Sequence, residues 1–275
     1  MSVELSPEDT QYVATLMRRR SAVVLDDDKR YLIETRLSQV AADKGYRDVR
    51  AVVAGLREGH AGLDTTVVEA LVTHETLFFR DVAPFEVLKK EILPPLIAAR
   101  AARRRLRIWS AACSSGQEPY SIAMLLLEHF PDVARSWDVR VVATDVSDAV
   151  LARARAGRYR QLEVNRGLGA QQLLRFFERD GAEWSVHGDV RRLVDFRKHN
   201  LLDPVPADIS PDVIFLRNVL IYFDVPTKRS ILARVAAVLP ADGALVLGAT
   251  ETTLGVDEAW AKQSLAVTSF YRRKS

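Results

Sequence analysis

Residues 105–121, RLRIWSAACSSGQEPYS, are the stretch of this chain that most constrains its fold. A short apolar segment leads there into a cluster of small residues, Ser110 to Gly116, and then into a helix-like segment that begins near Glu118. A second apolar segment, VVATD, ends in Asp145. Strand, tight turn, helix and a second strand with a terminal acid is the order in which open α/β sheets bind an adenosine cofactor. The pattern predicts such a site, with Asp145 accepting hydrogen bonds from ribose hydroxyls.

The small-residue turn argues against a dinucleotide. A G-x-G-x-x-G turn presents glycines and a helix N-terminus to a pyrophosphate, whereas this turn holds one glycine, Gly116, and an acid, Glu118. A carboxylate repels a phosphate but tolerates an amino acid that carries a sulfonium, which favours S-adenosylmethionine. The residues alone leave open a plain strand–helix turn in which Glu118 only complements the helix dipole.

Composition is that of an ordinary soluble chain of one or two domains, with 48% hydrophobic and 27% charged residues among 275. The single cysteine, Cys113, excludes an internal disulfide framework and agrees with a reducing compartment. A catalytic thiol is conceivable in this loop, but no histidine is near in sequence, so we interpret Cys113 as a small residue chosen for fit. With no secretory signal and no apolar run near the ~20 residues that span a bilayer, a cytoplasmic location without membrane insertion is expected.

The charge pattern does not indicate a nucleic-acid protein. The formal net charge is +3 and the pI about 9.0. Arginine pairs and triplets occur at 18–20, 103–105, 191–192 and 272–273. They are not interleaved with aromatic residues, and several stand where helices should end and cations are favoured. Neither a nucleic-acid partner nor a metal site is expected.

The first 98 residues are predicted to form a helical domain. Ser6 and Pro7 make a good N-cap and first-turn pair for a helix that ends at the arginines 18–20. A longer helix is predicted after Asp81 toward Ala99, with a break near Pro94. Further amphipathic helices are predicted at 28–44, 48–58 and 64–73. The segment AARAARRR then marks the predicted boundary to a second domain, residues 99–275.

From residue 105 onward, apolar strands alternate with helices, which predicts a mainly parallel, doubly wound α/β sheet. The predicted helices lie at 117–130, 147–156 with Ser147 as N-cap, and 226–239. A segment that breaks this rhythm, about 158–193, reads as an insertion with a helix at 171–179 and a β-hairpin turning at Asp180. The predicted strands lie at 105–111, 138–145, 194–199, 212–218, 243–249 and 267–272.

Four segments occur in one order: THETLFFRD (73–81), SAACSSGQEPYSIAM (110–124), VVATDVSDAVLARARAGRY (141–159) and DVIFLRNVLIYFD (212–224), with HNLLDP (199–204) before the last. Over nearly its whole length the chain closely resembles the bacterial chemotaxis-receptor glutamate methyltransferases, the CheR family. The resemblance implies a Rossmann-like class I methyltransferase domain behind a helical N-terminal domain. It also implies methyl transfer from S-adenosylmethionine to receptor glutamates, leaving S-adenosylhomocysteine.

The resemblance implies a set of site residues. Arg80 and Tyr222 are the implied catalytic pair, with Tyr222 near the transferable methyl. The implied cofactor-binding residues are His74, Thr76, Arg80, Glu118, Asp145, Asn200, Leu201, Arg217 and Asn218. This chain departs from many relatives at three positions: His74 replaces a common asparagine, Ala112 a glycine and Gln117 a second acid.

Simpler interpretations stay open for three of these residues. Arg80 precedes a helix start, Asn200 suits a turn, and Tyr222 could pack under the next helix. As a whole, the chain could instead be a cofactor-sensing scaffold, or a methyltransferase that acts on RNA or a small molecule.

The resemblance also implies how the substrate docks. In the family, basic residues of the second N-terminal helix face the cytoplasmic helical bundle of a chemoreceptor. This chain offers Lys29, Arg30, Arg36, Lys44 and Arg47 there. Some relatives bind a receptor-tail peptide at the inserted hairpin, but 177–194 looks short for that, so tail-independent recognition by a monomer is expected.

Overall fold

The computed structural model describes residues 4–25, 30–265 and 268–274, which fall into two compact units. One unit comprises the described parts of Met1–Thr73 and Tyr222–Thr227, and the other comprises the described parts of His74–Ile221 and Lys228–Ser275. The domain boundary predicted between residues 98 and 99 thus lies inside the second unit, because the helices that follow His74 belong with the sheet.

The first unit is helical. Its helices are α1 (Pro7–Ser21), α2 (Arg30–Lys44), α3 (Val49–Arg57) and α4 (Leu63–Leu71). Ser6 caps α1 as predicted, since its hydroxyl accepts the Asp9 amide at 3.1 Å. Asp48 caps α3 in the same way by accepting the Ala51 amide at 2.9 Å. The predicted start of α2 at residues 28 and 29, and with it Lys29, lies outside the described residues.

Apolar side chains of the four helices form the core of this unit. Those that are fully buried include Val13, Met17, Ile33, Leu37, Val52 and Val67. The segment Tyr222–Thr227 belongs here because the Val24 amide donates to the Tyr222 carbonyl at 2.9 Å and Arg18 pairs with Asp224 at 2.7 Å. Arg18 and Asp224, which are 206 residues apart in the sequence, are therefore neighbours in this unit.

The second unit opens with the helical segment that precedes the sheet. It runs as α5 (Ala83–Val87), a π-helical turn (Leu88–Ile92) and α6 (Leu93–Arg100). The break predicted at Pro94 takes the form of this wide turn directly before the prolines. Proline lacks an amide donor and its ring needs space next to the preceding turn, which a local change of hydrogen-bonding pattern provides.

The remaining elements alternate between strands and helices. In chain order they are β1 (Arg105–Ala111), α7 (Gln117–His129), α8 (Pro131–Ser136), β2 (Asp138–Asp145), α9 (Asp148–Ala156), β3 (Arg158–Arg160), α10 (Gln161–Val164), α11 (Ala170–Phe176), β4 (Phe177–Asp180), β5 (Glu183–Val186), α12 (Gly188–Arg191), β6 (Val194–Lys198), β7 (Val213–Leu216), a 3-10 turn (Leu220–Tyr222), α13 (Val225–Val238), β8 (Ala244–Leu247), β9 (Trp260–Ser264) and β10 (Ser269–Arg273).

The main sheet has seven strands in the order β6-β2-β1-β7-β8-β10-β9. The first five strands are parallel to one another, and β10 is antiparallel to both of its neighbours, β8 and β9. Strands β7 and β8 are buried along their whole length, as expected for a parallel sheet covered on both faces by helices. The predicted doubly wound α/β fold is therefore confirmed.

The predicted strands β1 and β2 have the observed bounds, but β9 was not predicted. Its sequence, WAKQS, buries only Trp260 and leaves the other side chains half-buried or exposed. Because β9 is an edge strand that pairs with β10, its position is set by cross-strand hydrogen bonds and not by apolar alternation. Residue 267, the predicted start of the last strand, lies outside the described residues.

The segment between β2 and β6 holds a separate three-stranded sheet in the order β3-β5-β4. The helix predicted at 171–179 ends at Phe176, and Phe177 begins a strand instead. The reason is tertiary packing, since the Phe177 ring lies edge-on to Phe78 at 5.4 Å and to Tyr159 at 6.5 Å between centroids.

A buried ion-pair network closes the end of the sheet opposite the carboxyl ends of the parallel strands. Asp212, just before β7, accepts from Arg100 Nε at 2.8 Å, Arg103 Nη2 at 2.9 Å and the Arg107 amide at 2.9 Å. Arg100 also pairs with Asp242 at 2.7 Å. The side chains of Arg100 and Asp212 are almost fully buried, so the ion pair that joins α6 to the start of β7 is largely shielded from water.

We predict that Asp212→Ala lowers the free energy of unfolding by about 3 kcal/mol, because it leaves the buried Arg100 guanidinium with one acid partner fewer. Urea unfolding followed by circular dichroism measures this. The control Asp189→Ala removes an exposed acid that pairs with Arg192 and should cost less than about 1 kcal/mol. Equal effects of the two substitutions would contradict the role given to Asp212.

Candidate active site

The carboxyl ends of the parallel strands converge at one edge of the sheet. Successive connections run from β1 to β2 to β6 on one side and from β7 to β8 on the other. The direction of winding therefore reverses between β1 and β7, and open α/β sheets bind ligands in the crevice outside such a reversal. The loops after β1, β2, β6, β7 and β8 border this crevice.

The loop after β1 has an unusual backbone. The φ angles are positive at Ala112 (61°), Ser114 (50°) and Gly116 (94°). Such conformations are unfavourable for residues with a Cβ, so other contacts must hold them. The Cys113 amide donates to the Thr144 carbonyl at 2.9 Å, and the Ser114 hydroxyl donates to the His74 carbonyl at 2.7 Å.

Gly116 is required by packing as well as by its φ angle. A Cβ on this residue would lie 3.0 Å from Ala154 Cβ, 3.1 Å from Tyr159 Oη and 3.2 Å from Phe196 Cζ. The Tyr159 hydroxyl donates to the Ser115 carbonyl at 2.7 Å. Gly116 therefore allows the loop to approach α9, β3 and β6 closely.

Asp145 ends β2 with a carboxylate that organises the loop beside it. One oxygen accepts the Ser114 amide at 2.8 Å and the other accepts the Ser147 amide at 3.1 Å. The residue is buried. Since each carboxylate oxygen has two acceptor positions, both keep capacity for another donor such as a ribose hydroxyl.

Glu118 and Arg217 form a buried ion pair at the start of α7. Arg217 Nη1 donates to Glu118 Oε2 at 2.9 Å, and the Ser110 hydroxyl donates to Glu118 Oε1 at 2.7 Å. Arg217 Nη2 donates to Asp81 Oδ2 at 2.7 Å and to the Arg80 carbonyl at 2.8 Å. The Arg217 side chain is only 1% exposed. The predicted site residues Glu118, Arg217 and Arg80 are thus brought together through this guanidinium.

One nitrogen of the Arg217 guanidinium has no hydrogen-bond partner among the described residues. This nitrogen, Nε, is buried, and buried donors in proteins are normally paired. A ligand that brings an acceptor, such as the carboxylate of an amino-acid moiety, fits this unmet requirement. Together with the free acceptor capacity of Asp145, the site suits a ligand with a ribose at one end and an amino acid at the other, which is the chemistry of S-adenosylmethionine.

The side chain of Arg80 is available to bind an acidic group. Its Nη1 donates to the Glu75 carbonyl at 2.8 Å, and the guanidinium makes no ion pair with any described residue.

The neighbouring Asp81 was not singled out from the sequence, yet it is the second acid partner of Arg217. Thr76 and His74, also predicted to bind cofactor, are half-buried residues of the same segment.

The segment after β6 contains the predicted pair Asn200 and Leu201. The Asn200 side-chain oxygen accepts the Leu202 amide at 3.0 Å and its carbonyl accepts the Asp203 amide at 2.9 Å, so Asn200 does form a turn. The Leu201 carbonyl accepts from Arg234 at 3.0 Å. Desolvation lowers the pKa of the adjacent His199, which favours a neutral imidazole. The cofactor contacts of Asn200 and Leu201 stay predictions.

Asn218 and Tyr222 follow β7 but belong to different units. Asn218 lies in the sheet unit with a left-handed backbone, φ 57°. Tyr222 lies in the helical unit, where its carbonyl accepts the Val24 amide, and its catalytic role stays a prediction.

Glu251, which sequence reasoning missed, accepts the Asn218 amide at 2.7 Å. An acid shortly after a buried parallel strand was the signal that could have identified it.

The Cys113 thiol is buried in the loop after β1. Burial, reinforced by the charges of Asp145 and Glu118, raises the pKa of its thiol well above the usual value, so the thiolate is not populated at neutral pH. This is what the interpretation of Cys113 as a packing residue requires. Among the described residues, no group of His, Cys, Asp and Glu side chains could hold a metal ion.

Comparisons with known proteins give the family context. The family model described as CheR methyltransferase, SAM binding domain matches residues 74–268. Chemotaxis protein methyltransferase 1 of Pseudomonas aeruginosa is 39% identical over 97% of this chain and 98% of its own length. A chemotaxis protein methyltransferase of Vibrio parahaemolyticus is 38% identical over 94% of each chain. Chemotaxis protein methyltransferase Cher2 of Pseudomonas putida is 37% identical over 91% of this chain and 92% of its own.

Among the described residues, no helix combines the length and the apolar character needed to cross a bilayer.

We predict that Ala112→Gly raises the free energy of unfolding by about 0.5–1 kcal/mol, because glycine removes the Cβ penalty of a positive φ angle. Thermal unfolding measures it. The control Ala98→Gly, at an exposed position of α6, should destabilise by about 1 kcal/mol. If both glycines destabilise to the same degree, the loop does not store the strain assigned to it.

Proposed function

This chain belongs to the CheR methyltransferase family, and we propose that it transfers the methyl group of S-adenosylmethionine to glutamate side chains of chemoreceptors. The products are glutamate methyl esters and S-adenosylhomocysteine. The acceptor glutamates lie in the cytoplasmic helical bundle of the receptor, which implies a cytoplasmic enzyme. The relatives named above are chemotaxis protein methyltransferases, and this supports a substrate from the same signalling system.

The main support from the structure is the group of charged side chains at the carboxyl ends of β1, β2 and β7. In this proposal Asp145 accepts hydrogen bonds from the ribose hydroxyls, and the unpaired Nε of Arg217 donates a hydrogen bond to the carboxylate of the methionine moiety. Glu118 holds Arg217 in place. Asn218 lines the methionine end, and the Thr76, His74, Asn200 and Leu201 positions complete the cofactor contacts.

The reaction needs little acid–base chemistry from the protein. A glutamate carboxyl, with an ordinary pKa of about 4.3, is already ionised and nucleophilic at neutral pH. Bound S-adenosylmethionine supplies a methyl group that its sulfonium activates. The protein must therefore place a carboxylate oxygen in line with the methyl carbon and exclude water.

Arg80 is the residue we assign to orienting the target carboxylate, with Tyr222 lining the methyl group. The planar guanidinium of arginine matches a carboxylate in two-point contact, and that of Arg80 is not committed to an acid among the described residues. Charge is neutralised during the transfer, so an overly strong ion pair in the ground state would slow it. We therefore assign orientation, and not tight binding, to Arg80.

Docking to the receptor involves basic side chains of α2 and the turn that follows it. Arg36, Lys44 and Arg47 are exposed, and Arg36 makes no ion pair within the described part of the chain. Arg30 is less available because it pairs with Glu34 at 3.1 Å. This face meets the acidic surface of the receptor bundle by electrostatic attraction. We propose that a monomer binds there without a receptor-tail peptide.

The test incubates the enzyme with S-adenosylmethionine labelled in its methyl group and membranes that contain chemoreceptors. Mild alkali should then release the label from the receptor band as volatile methanol, since a carboxyl ester hydrolyses where an N-methyl group does not. Receptors whose acceptor glutamates are replaced by alanine serve as the control. Label in RNA, or alkali-stable label on protein, would contradict the proposal.

We predict that Arg80→Ala lowers kcat for receptor methylation about tenfold or more while leaving the Kd for S-adenosylhomocysteine nearly unchanged, because misorientation of a reacting group affects the chemical step. Methylation kinetics and calorimetry measure the two quantities. Arg192→Ala, which removes an exposed arginine paired with Asp189, is the matched control. An unchanged kcat would refute the role of Arg80.

A further inference from the structure

The loop after β8 contains a buried acid with an unusual set of partners. Glu251 is 9% exposed and makes no ion pair with any described residue, yet four backbone amides donate to its carboxylate. Oε1 accepts the amides of Val219 and Leu220 at 2.9 and 2.7 Å. Oε2 accepts the amides of Asn218 and Gly248 at 2.7 and 2.8 Å. A buried carboxylate with no cation is costly unless such hydrogen bonds compensate it.

These bonds join the ends of two neighbouring strands. β7 and β8 are parallel and end in register at Leu216 and Leu247. The chain after β7 turns at once through Arg217 and Asn218, and Glu251 reaches across from the loop after β8 to hold the amides of three successive residues. The path of the segment that follows β7 is therefore set by a side chain more than 30 residues away.

Two further observations show how tightly this junction is built. Asn218 has φ 57°, a left-handed conformation that the bond from its amide to Glu251 helps to retain. Gly248 leaves the space that the junction needs, since a Cβ there would lie 2.6 Å from Glu251 Oε2 and 2.9 Å from Asn218 Nδ2. The Asn218 side chain is thus adjacent to the Glu251 cluster.

We propose that Glu251 is a positioning residue for the amino-acid end of S-adenosylmethionine, acting through Asn218. The inference rests on the proposed role of Asn218 at that end of the cofactor. Glu251 does not touch the cofactor. It fixes the backbone of Asn218 in the conformation that presents the amide side chain to the crevice, so the site is organised before the cofactor arrives.

A carboxylate is needed because four donors converge on two acceptor atoms. Glutamine has nearly the same shape but offers one acceptor oxygen and an NH₂ group. Whichever way its amide is turned, the NH₂ group faces two backbone N–H donors. Glu251→Gln should therefore disturb the junction as much as Glu251→Ala, whereas a residue that only fills space would tolerate glutamine.

The experiment compares two ligands by calorimetry at a temperature where circular dichroism shows every variant folded. S-adenosylhomocysteine carries the amino-acid end, and 5′-methylthioadenosine lacks it. In Glu251→Gln and Glu251→Ala, the Kd for S-adenosylhomocysteine should rise about tenfold. The Kd for 5′-methylthioadenosine should change by less than about twofold. Glu258→Gln, an exposed acid paired with Lys274, is the matched control and should leave both values unchanged.

Glu251→Asp keeps the charge but shortens the side chain by one methylene group. It tests the positioning role of Glu251 if the other variants do not fold. It should weaken S-adenosylhomocysteine binding selectively and by a smaller factor. Unchanged binding of both ligands, or an equal loss for both, overturns the role of Glu251. Variants that bind normally while the wild-type protein methylates receptors would overturn this inference alone, whereas a wild-type protein that binds cofactor but methylates no receptor would overturn the proposed function.

Discussion

The buried guanidinium of Arg217 is the interaction on which the arrangement of the site depends. A charge so removed from water is stable only if its partners are in place, and Arg217 has Glu118, Asp81 and the Arg80 carbonyl around it. The guanidinium carbon of Arg217, Cζ, also lies over the Phe85 ring, 5.6 Å from the ring centroid. These partners come from the segment after His74 and the first turn of α7, whereas Arg217 itself directly follows β7. One side chain therefore fixes the relative positions of three parts of the sheet unit.

Two carboxylates continue this organisation along the edge of the sheet. Asp145 binds the amides of Ser114 and Ser147, and Glu251 binds those of four residues in the loops after β7 and β8. The loop conformations with positive φ angles at Ser114 and Asn218 lie next to these acids. A glycine-rich loop is not needed where buried carboxylates hold backbone amides in place. The crevice is thereby shaped by hydrogen bonds that exist before any ligand binds.

Such a preformed crevice suits methyl transfer to a carboxylate. The proposed acceptor, a glutamate carboxylate, is ionised at neutral pH, so its methylation requires orientation and exclusion of water more than proton transfer. In the function proposed above, Asp145, Arg217 and Asn218 would place the cofactor rigidly, and the less constrained Arg80 would orient the acceptor. Cys113 packs with Ala143 and Leu151 in a small buried cluster.

Local patterns in the sequence determined a large part of this protein. The apolar segments of β1 and β2, the caps Ser6 and Ser147 and the family motifs predicted the parallel sheet, the helices and the cofactor class, since each depends on neighbours within a few residues. The tertiary structure alone decided the edge strand β9, the strand that begins at Phe177, the assignment of Tyr222 to the helical unit and the partners of Arg217 and Glu251. Asp81 and Arg217 are 136 residues apart, and no local propensity encodes a contact between residues that only the folded sheet brings together.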